Sequence, residues 1–182
     1  MNCLLVGNPG GTTADVARAV VEAAPEQPVT LLSDDTDGLL RLLGEPGLSG
    51  CECLWADPAV PATVDDALVH RRLLHGSPEV VVLVVDRTPE DGGSAWALGE
   101  LLVARLTRAP LLVTGLAAAA LAPRVAAALS ELTDDGAVRP PCAVVPGNDP
   151  SEVLRRAADL LRSVAVPRND PATPLLSGHC GH

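Results

Sequence analysis

The sequence predicts an α/β fold: an open, mostly parallel sheet with helices on both faces and its functional site at the C-terminal ends of the strands. Two observations carry this. Short apolar runs alternate with amphipathic segments from one end of the chain to the other, and one run, "EVVVLVVD" at 79–86, is unbroken Val and Leu closed by an acid. A strand that is apolar at every position is buried on both faces, as in the middle of a parallel sheet. The chain is 182 residues long and 47% hydrophobic. That is enough for one substantial core and too little for two.

In order, "CLLV" at 3–6 is a short apolar run ending in Gly-Asn-Pro-Gly-Gly, followed by an alanine-rich amphipathic segment from Thr12 to about Ala24. This reads as strand, glycine loop, helix. Pro25 and Pro28 close the helix. "VTLLS" at 29–33 is a second strand, followed by a short helix over Asp37–Leu43 and a loop, "GEPGLSG", at 44–50. "CECLWAD" at 51–57 alternates as a third strand, and a helix follows over about Val64–Leu74. After the strand at 79–86 come a helix over about Ala95–Thr107, the buried strand "APLLVTG" at 109–115, a helix near Pro123–Leu132, the strand "CAVVPG" and a helix over Pro150–Ser163. The organisation expected is one domain over 1–164 and a flexible, proline-rich tail over 165–182 that ends in "HCGH".

Charge narrows the partners. There are 23 acidic residues against 13 basic ones, a net charge of −10, which argues against nucleic acid or an anionic membrane surface. Every base is arginine. No apolar run approaches the roughly 20 residues that span a bilayer, and the N-terminus enters a strand directly without a signal-peptide pattern, so a cytoplasmic location without membrane insertion is expected. The odd cysteine count, Cys3, Cys51, Cys53, Cys142 and Cys180, suggests reduced thiols.

The loop "VGNPGGTT" at 6–13 is close to a phosphate-binding loop, G-x-x-x-x-G-K-[ST], but two residues short and with Gly11 where the lysine belongs. Together with "WADPAV" at 55–60, "LLHGSPEVVVLVVDRT" at 73–88, "ELLVARLTRAPLLVTGLA" at 100–117 and "CAVVPGNDPSEVLRRAADLL" at the end, it resembles the G domain of the bacterial ferrous-iron transporter FeoB family, over about residues 2–163. The resemblance implies a three-layer, P-loop-GTPase-like fold. It places Gly7, Asn8, Pro9, Gly10, Gly11, Thr12, Thr13 and Asp57 at a degenerate nucleotide site for GTP or GDP with Mg²⁺. Where the family reads guanine with N-x-x-D, this chain has Thr114-Gly115-Leu116-Ala117. Region 29–50 fits worst, because the family has its first switch and an antiparallel strand there, whereas these residues suggest a strand and a short helix.

By the residues alone, the first loop is either a weak anion site at a helix N-terminus or a tight turn with a capped helix. Asp57 holds a metal-bound water or starts a turn, and Asp86, at a strand end, is functional or structural. Arg87 and Arg124 are candidates to replace the missing lysine charge. Cys51 and Cys53 share one face of a strand, and His179, Cys180 and His182 form a weak tail cluster suited to a transition metal; buried thiols and a plain tail are the alternative. No Ser-His-Asp order, carboxylate pair or G-x-S-x-G motif is evident, which leaves hydrolase and oxidoreductase readings without residues.

The expectation is a non-catalytic pseudo-GTPase module, possible links being to ferrous iron transport through a protein partner such as a membrane iron transporter. It would dock by loops 7–13, 57–65 and 87–95. A divergent active GTPase and a small metal-binding protein are the alternatives.

Overall fold

The structure, a computed structural model, describes residues 1–88, 90, 93–105, 109–131 and 141–165. Six strands alternate with six helices: β1 (Cys3–Gly7), α1 (Gly11–Ala23), β2 (Val29–Ser33), α2 (Thr36–Leu43), β3 (Glu52–Trp55), α3 (Pro61–His75), β4 (Val80–Val84), α4 (Ala95–Arg105), β5 (Leu111–Gly115), α5 (Ala118–Glu131), β6 (Cys142–Pro146) and α6 (Pro150–Ala165). The expected three-layer α/β architecture is present, with an entirely parallel sheet. α5 begins at Ala118, ahead of Pro123, which it carries inside the helix.

The strands lie in the order β3-β2-β1-β4-β5-β6. The chain starts in the middle at β1, moves outward through β2 to β3, returns through α3 to place β4 on the other side of β1, and continues outward to β6. β1 pairs with β2 from Cys3–Val29 to Val6–Leu32, and with β4 from Cys3–Val80 to Gly7–Val84. Region 29–50 is therefore a parallel strand and a helix, as its own residues indicate, and has no antiparallel strand. This overturns the G-domain resemblance where that resemblance was weakest.

Alternation along the strands builds two cores. Cys3, Leu5, Leu31, Val82 and Leu112 face α1, α2 and α6, where Val16, Leu39 and Val153 meet them. Leu4, Val6, Leu32, Leu83 and Val113 face α3, α4 and α5, against Val64, Leu98 and Leu121. All five residues of β4 are buried, while β3 at one edge is only partly so. Because the order of strand addition reverses between β1 and β4, their outgoing loops diverge and leave a crevice at the C-terminal edge.

The "TGLA" stretch has a structural task. Thr114 is fully buried and its Oγ1 donates to the Gly147 carbonyl at 3.0 Å. Gly115 and Gly147 exchange backbone hydrogen bonds at 2.8 and 3.2 Å, each with positive φ. Leu116 is exposed and Ala117 N–H donates to Val85 O. These residues tie β4, β5 and β6 together; they are not the remains of a base-reading motif.

Candidate functional site at the β1/β4 crevice

The crevice is formed by the loops that follow β1, β2 and β4. Gly7 ends β1 where α1 crosses closely: a Cβ on it would lie 2.8 Å from Thr13 Oγ1 and 3.1 Å from Val84 Cβ. Thr13 Oγ1 donates to Asn8 O at 2.7 Å and locks the turn. Pro9 packs against α2, where a Cβ on Gly38 would come within 2.7 Å of its Cβ. Gly10 and Gly11 are exposed, and a Cβ on Gly11 would meet nothing within 4 Å. The loop thus offers bare backbone to a ligand.

At Gly10 no side chain caps α1, and the first turn contains no acid. The first N–H groups of a helix lack intrahelical acceptors, and with the helix dipole they favour an anion. Thr12 and Thr13 lie inside α1, past the cap position at Gly10, so neither serves as an N-cap.

Beside this loop, at the end of β2, stands Asp34, whose Oδ1 accepts a hydrogen bond from Ser94 Oγ at 2.7 Å. Ser94, just before α4, also lies 3.2 Å from Asn8 Oδ1. The Trp55 indole N–H donates to Asp34 O at 3.0 Å. Asp35 caps α2 by accepting from Gly38 N–H at 2.9 Å. Sequence reasoning missed Asp34 and Ser94. The available signal was an acid following the second strand, some 20 residues beyond a glycine loop, which is where a dinucleotide-binding unit holds a ribose.

Other expected site residues lie elsewhere. Asp57 follows β3, two strands out from β1 and so about 10 Å from the loop. Its Oδ1 accepts from Ala59 N–H at 2.8 Å, while its N–H donates to Thr63 Oγ1 at 2.8 Å. It is a turn residue and does not join the glycine loop. Asp86 Oδ1 accepts from Leu116 N–H at 3.3 Å. Arg87 and Thr88 line an open depression with Asp86, Leu116 and Ala117 at the ends of β4 and β5. Arg124 pairs with Glu90 at 2.6 Å.

Cys51 is buried and Cys53 partly so, on the face packed by α2. Burial pushes the Cys53 and Cys142 thiols from 9.0 to about 11, and that of Cys3 to about 12. Metal ligation needs the thiolate, so burial works against it, and among the described residues no group of three His, Cys, Asp or Glu is placed to hold a metal. His179, Cys180 and His182 lie outside the described residues.

These thiols make folding pH-dependent. Between pH 9 and about 12 the unfolded chain loses the Cys3 proton and the folded chain keeps it. The native state then binds more protons, so stability is intact below pH 9 and falls as pH rises through that window. Urea midpoints should decline from pH 9 to 11. Cys3→Ala should decline less steeply.

The chain matches no family model and no curated protein. It is structurally similar to serine dehydrogenase from Escherichia coli (14% identity, 92% of each chain covered, TM-score 0.56). An alcohol dehydrogenase from the archaeon Thermococcus sibiricus, complexed with 5-hydroxy-NADP, is similar over 93% of this chain and 92% of that one (14% identity, TM-score 0.54). So is 3-ketoacyl-(acyl-carrier-protein) reductase from Brucella melitensis, complexed with NADH, over 73% and 69% (16% identity, TM-score 0.56). The fold is Rossmann-type.

This corrects the G-domain reading and what depended on it: the GTP or GDP site with Mg²⁺, the pseudo-GTPase or GTPase activity, the link to iron transport, and the expectation of a non-catalytic module. P-loop and Rossmann domains share strand, glycine loop and helix at the start. The missing lysine belongs to the former alone, so its absence here marks a different loop and not an eroded one. The tail-metal expectation also gives way as a cofactor assignment, since the ligands named for the similar structures are nicotinamide dinucleotides. No helix of the described residues is long and apolar enough to cross a membrane.

Proposed function

We propose that the chain binds a nicotinamide dinucleotide, NAD(H) in preference to NADP(H), in the β1/β4 crevice and acts as a short-chain-type oxidoreductase on a small alcohol or carbonyl compound. The observation that carries the reading is the uncapped α1 N-terminus beneath exposed Gly10 and Gly11, at the point where the sheet order reverses. Those N–H groups suit a pyrophosphate. Asp34 suits a ribose diol: its Oδ1 is shared with Ser94, and a carboxylate accepts several hydrogen bonds. The acids Asp34 and Asp35 would repel a 2′-phosphate, which is the basis for preferring NAD(H).

The bound cofactor supplies hydride chemistry, and the protein supplies binding, orientation and electrostatics. The depression lined by Asp86, Arg87, Thr88 and Leu116 adjoins the crevice on the β4/β5 side and is the natural place for a substrate. Arg87, exposed there, would steady negative charge on a reacting oxygen. The chain has no tyrosine and no lysine. A proton for that oxygen would come from solvent water, which reaches the open depression.

Titration with NADH should quench the fluorescence of Trp55, whose indole is bonded to Asp34 O. Absence of quenching and of calorimetric heat with both NADH and NADPH would sink the reading. If binding is seen, a panel of small alcohols and carbonyl compounds tests turnover.

A further inference from the structure

A second site lies away from the crevice, between α3 and α4 towards the N-terminal edge of the sheet. A recess of about 190 Å³ is lined there by Arg71, Arg72, Arg105, Asp65, Gly76 and Ser77. It is smaller than a drug-sized pocket, at roughly 300–1,000 Å³, and has room for about six waters.

Arg71 is 1% exposed. Its Nη1 donates to Gly76 O at 2.8 Å and its Nη2 to Asn2 Oδ1, while its Nε has no partner. Both acceptors are neutral. Among the described residues no carboxylate forms an ion pair with it. Glu52, whose charge it feels, is already engaged by Thr30, His70 and His75. Asp65 is taken by Arg105, whose Nη2 lies 3.1 Å from Asp65 Oδ2. Arg72 is exposed and has no ion pair among the described residues. The recess therefore holds three guanidinium groups against one carboxylate, in a chain of net charge −10.

A buried charge is costly unless it is paired, and guanidinium groups match phosphate geometry. We infer that this recess binds a small phosphate-bearing anion, free phosphate or the head of a small phosphomonoester, held by the exposed Arg72 and Ser77 at the rim with the enclosed, unpaired charge of Arg71 behind them. The C-terminal end of α3 opposes an anion here, but a helix-end dipole is weaker than a hydrogen bond between charged groups.

Calorimetry with inorganic phosphate and with glycerol phosphate, at matched ionic strength against chloride, tests this. Saturable one-to-one binding of either is expected. Arg72→Ala, an exposed change that leaves the core intact, should weaken it about tenfold or more, and Arg156→Ala on α6 should leave it unchanged. Arg71→Met, which removes the charge behind the rim, should weaken it as well, with thermal melts verifying that this variant folds. Binding of neither anion overturns the assignment. So does binding that survives Arg72→Ala at full strength, because it would then lie at the α1 N-terminus or on the general surface.

Discussion

Gly115→Ala should destabilise the protein by about 2–6 kcal/mol. Gly115 has φ +110°, and a Cβ there would lie 2.4 Å from Val85 O and 2.7 Å from Val85 C. Strained backbone costs about 1–3 kcal/mol. Overpacking adds about 1–3 kcal/mol, and here the obstacle is backbone, which cannot rotate aside. With total stabilities of about 5–15 kcal/mol for native proteins, this is a large share. At about 2–4 °C per kcal/mol for a chain of this size, the melting temperature should fall by about 4–24 °C. Gly147→Ala is the control. Its φ is +98° but a Cβ would meet nothing within 4 Å, so only the conformational cost of about 1–2 kcal/mol remains. Equal losses in the two variants would refute the steric account.

Asp34→Ala should weaken NADH binding by about 10- to 100-fold. A hydrogen bond to a charged group is worth about 1.5–3 kcal/mol, and about 1.4 kcal/mol is tenfold in affinity. The same change removes negative charge from the place a 2′-phosphate would occupy, so NADPH should lose less affinity and could gain some. The ratio of the two dissociation constants, measured by calorimetry at one salt concentration, is the decisive quantity. An unchanged ratio would remove Asp34 from the site. Thermal melts separate this from misfolding, which is not expected because Asp34 sits in the loop that follows β2, outside both cores.

The elements themselves were legible in the chain. β2 occupies Val29–Ser33, the residues its apolar run marks, and β4 and β5 lie within their predicted runs, because a strand buried on both faces needs continuous apolar sequence. Strand order was not legible. Whether β2 lies beside β1 in parallel depends on where the chain crosses the sheet, and a local pattern carries no such information. For region 29–50 the residues' own reading was right and the family resemblance wrong, since propensity speaks of that segment and resemblance borrows from another. The site was partly legible. Gly10 and Gly11 stood out as either a weak anion loop or a tight turn, a choice local sequence does not make, and Asp34 and Ser94 meet only in three dimensions, 60 residues apart. Arg71 was invisible for the opposite reason: within "VHRRLLH" it looks like one more solvated charge, and only the packing of Asn2 and Gly76 encloses it.

The Ser94 contact shapes how a ligand would arrive. One hydroxyl has one proton, yet Ser94 Oγ sits between two oxygens, Asp34 Oδ1 at 2.7 Å and Asn8 Oδ1 at 3.2 Å. The proton belongs to the charged, nearer acceptor, and Asn8 Oδ1 is left underserved. A diol entering the crevice can give one hydroxyl to each oxygen and release Ser94 to water. Such an exchange trades partners without a net loss of hydrogen bonds, so Ser94 is a replaceable link between the loops that follow β1, β2 and β4.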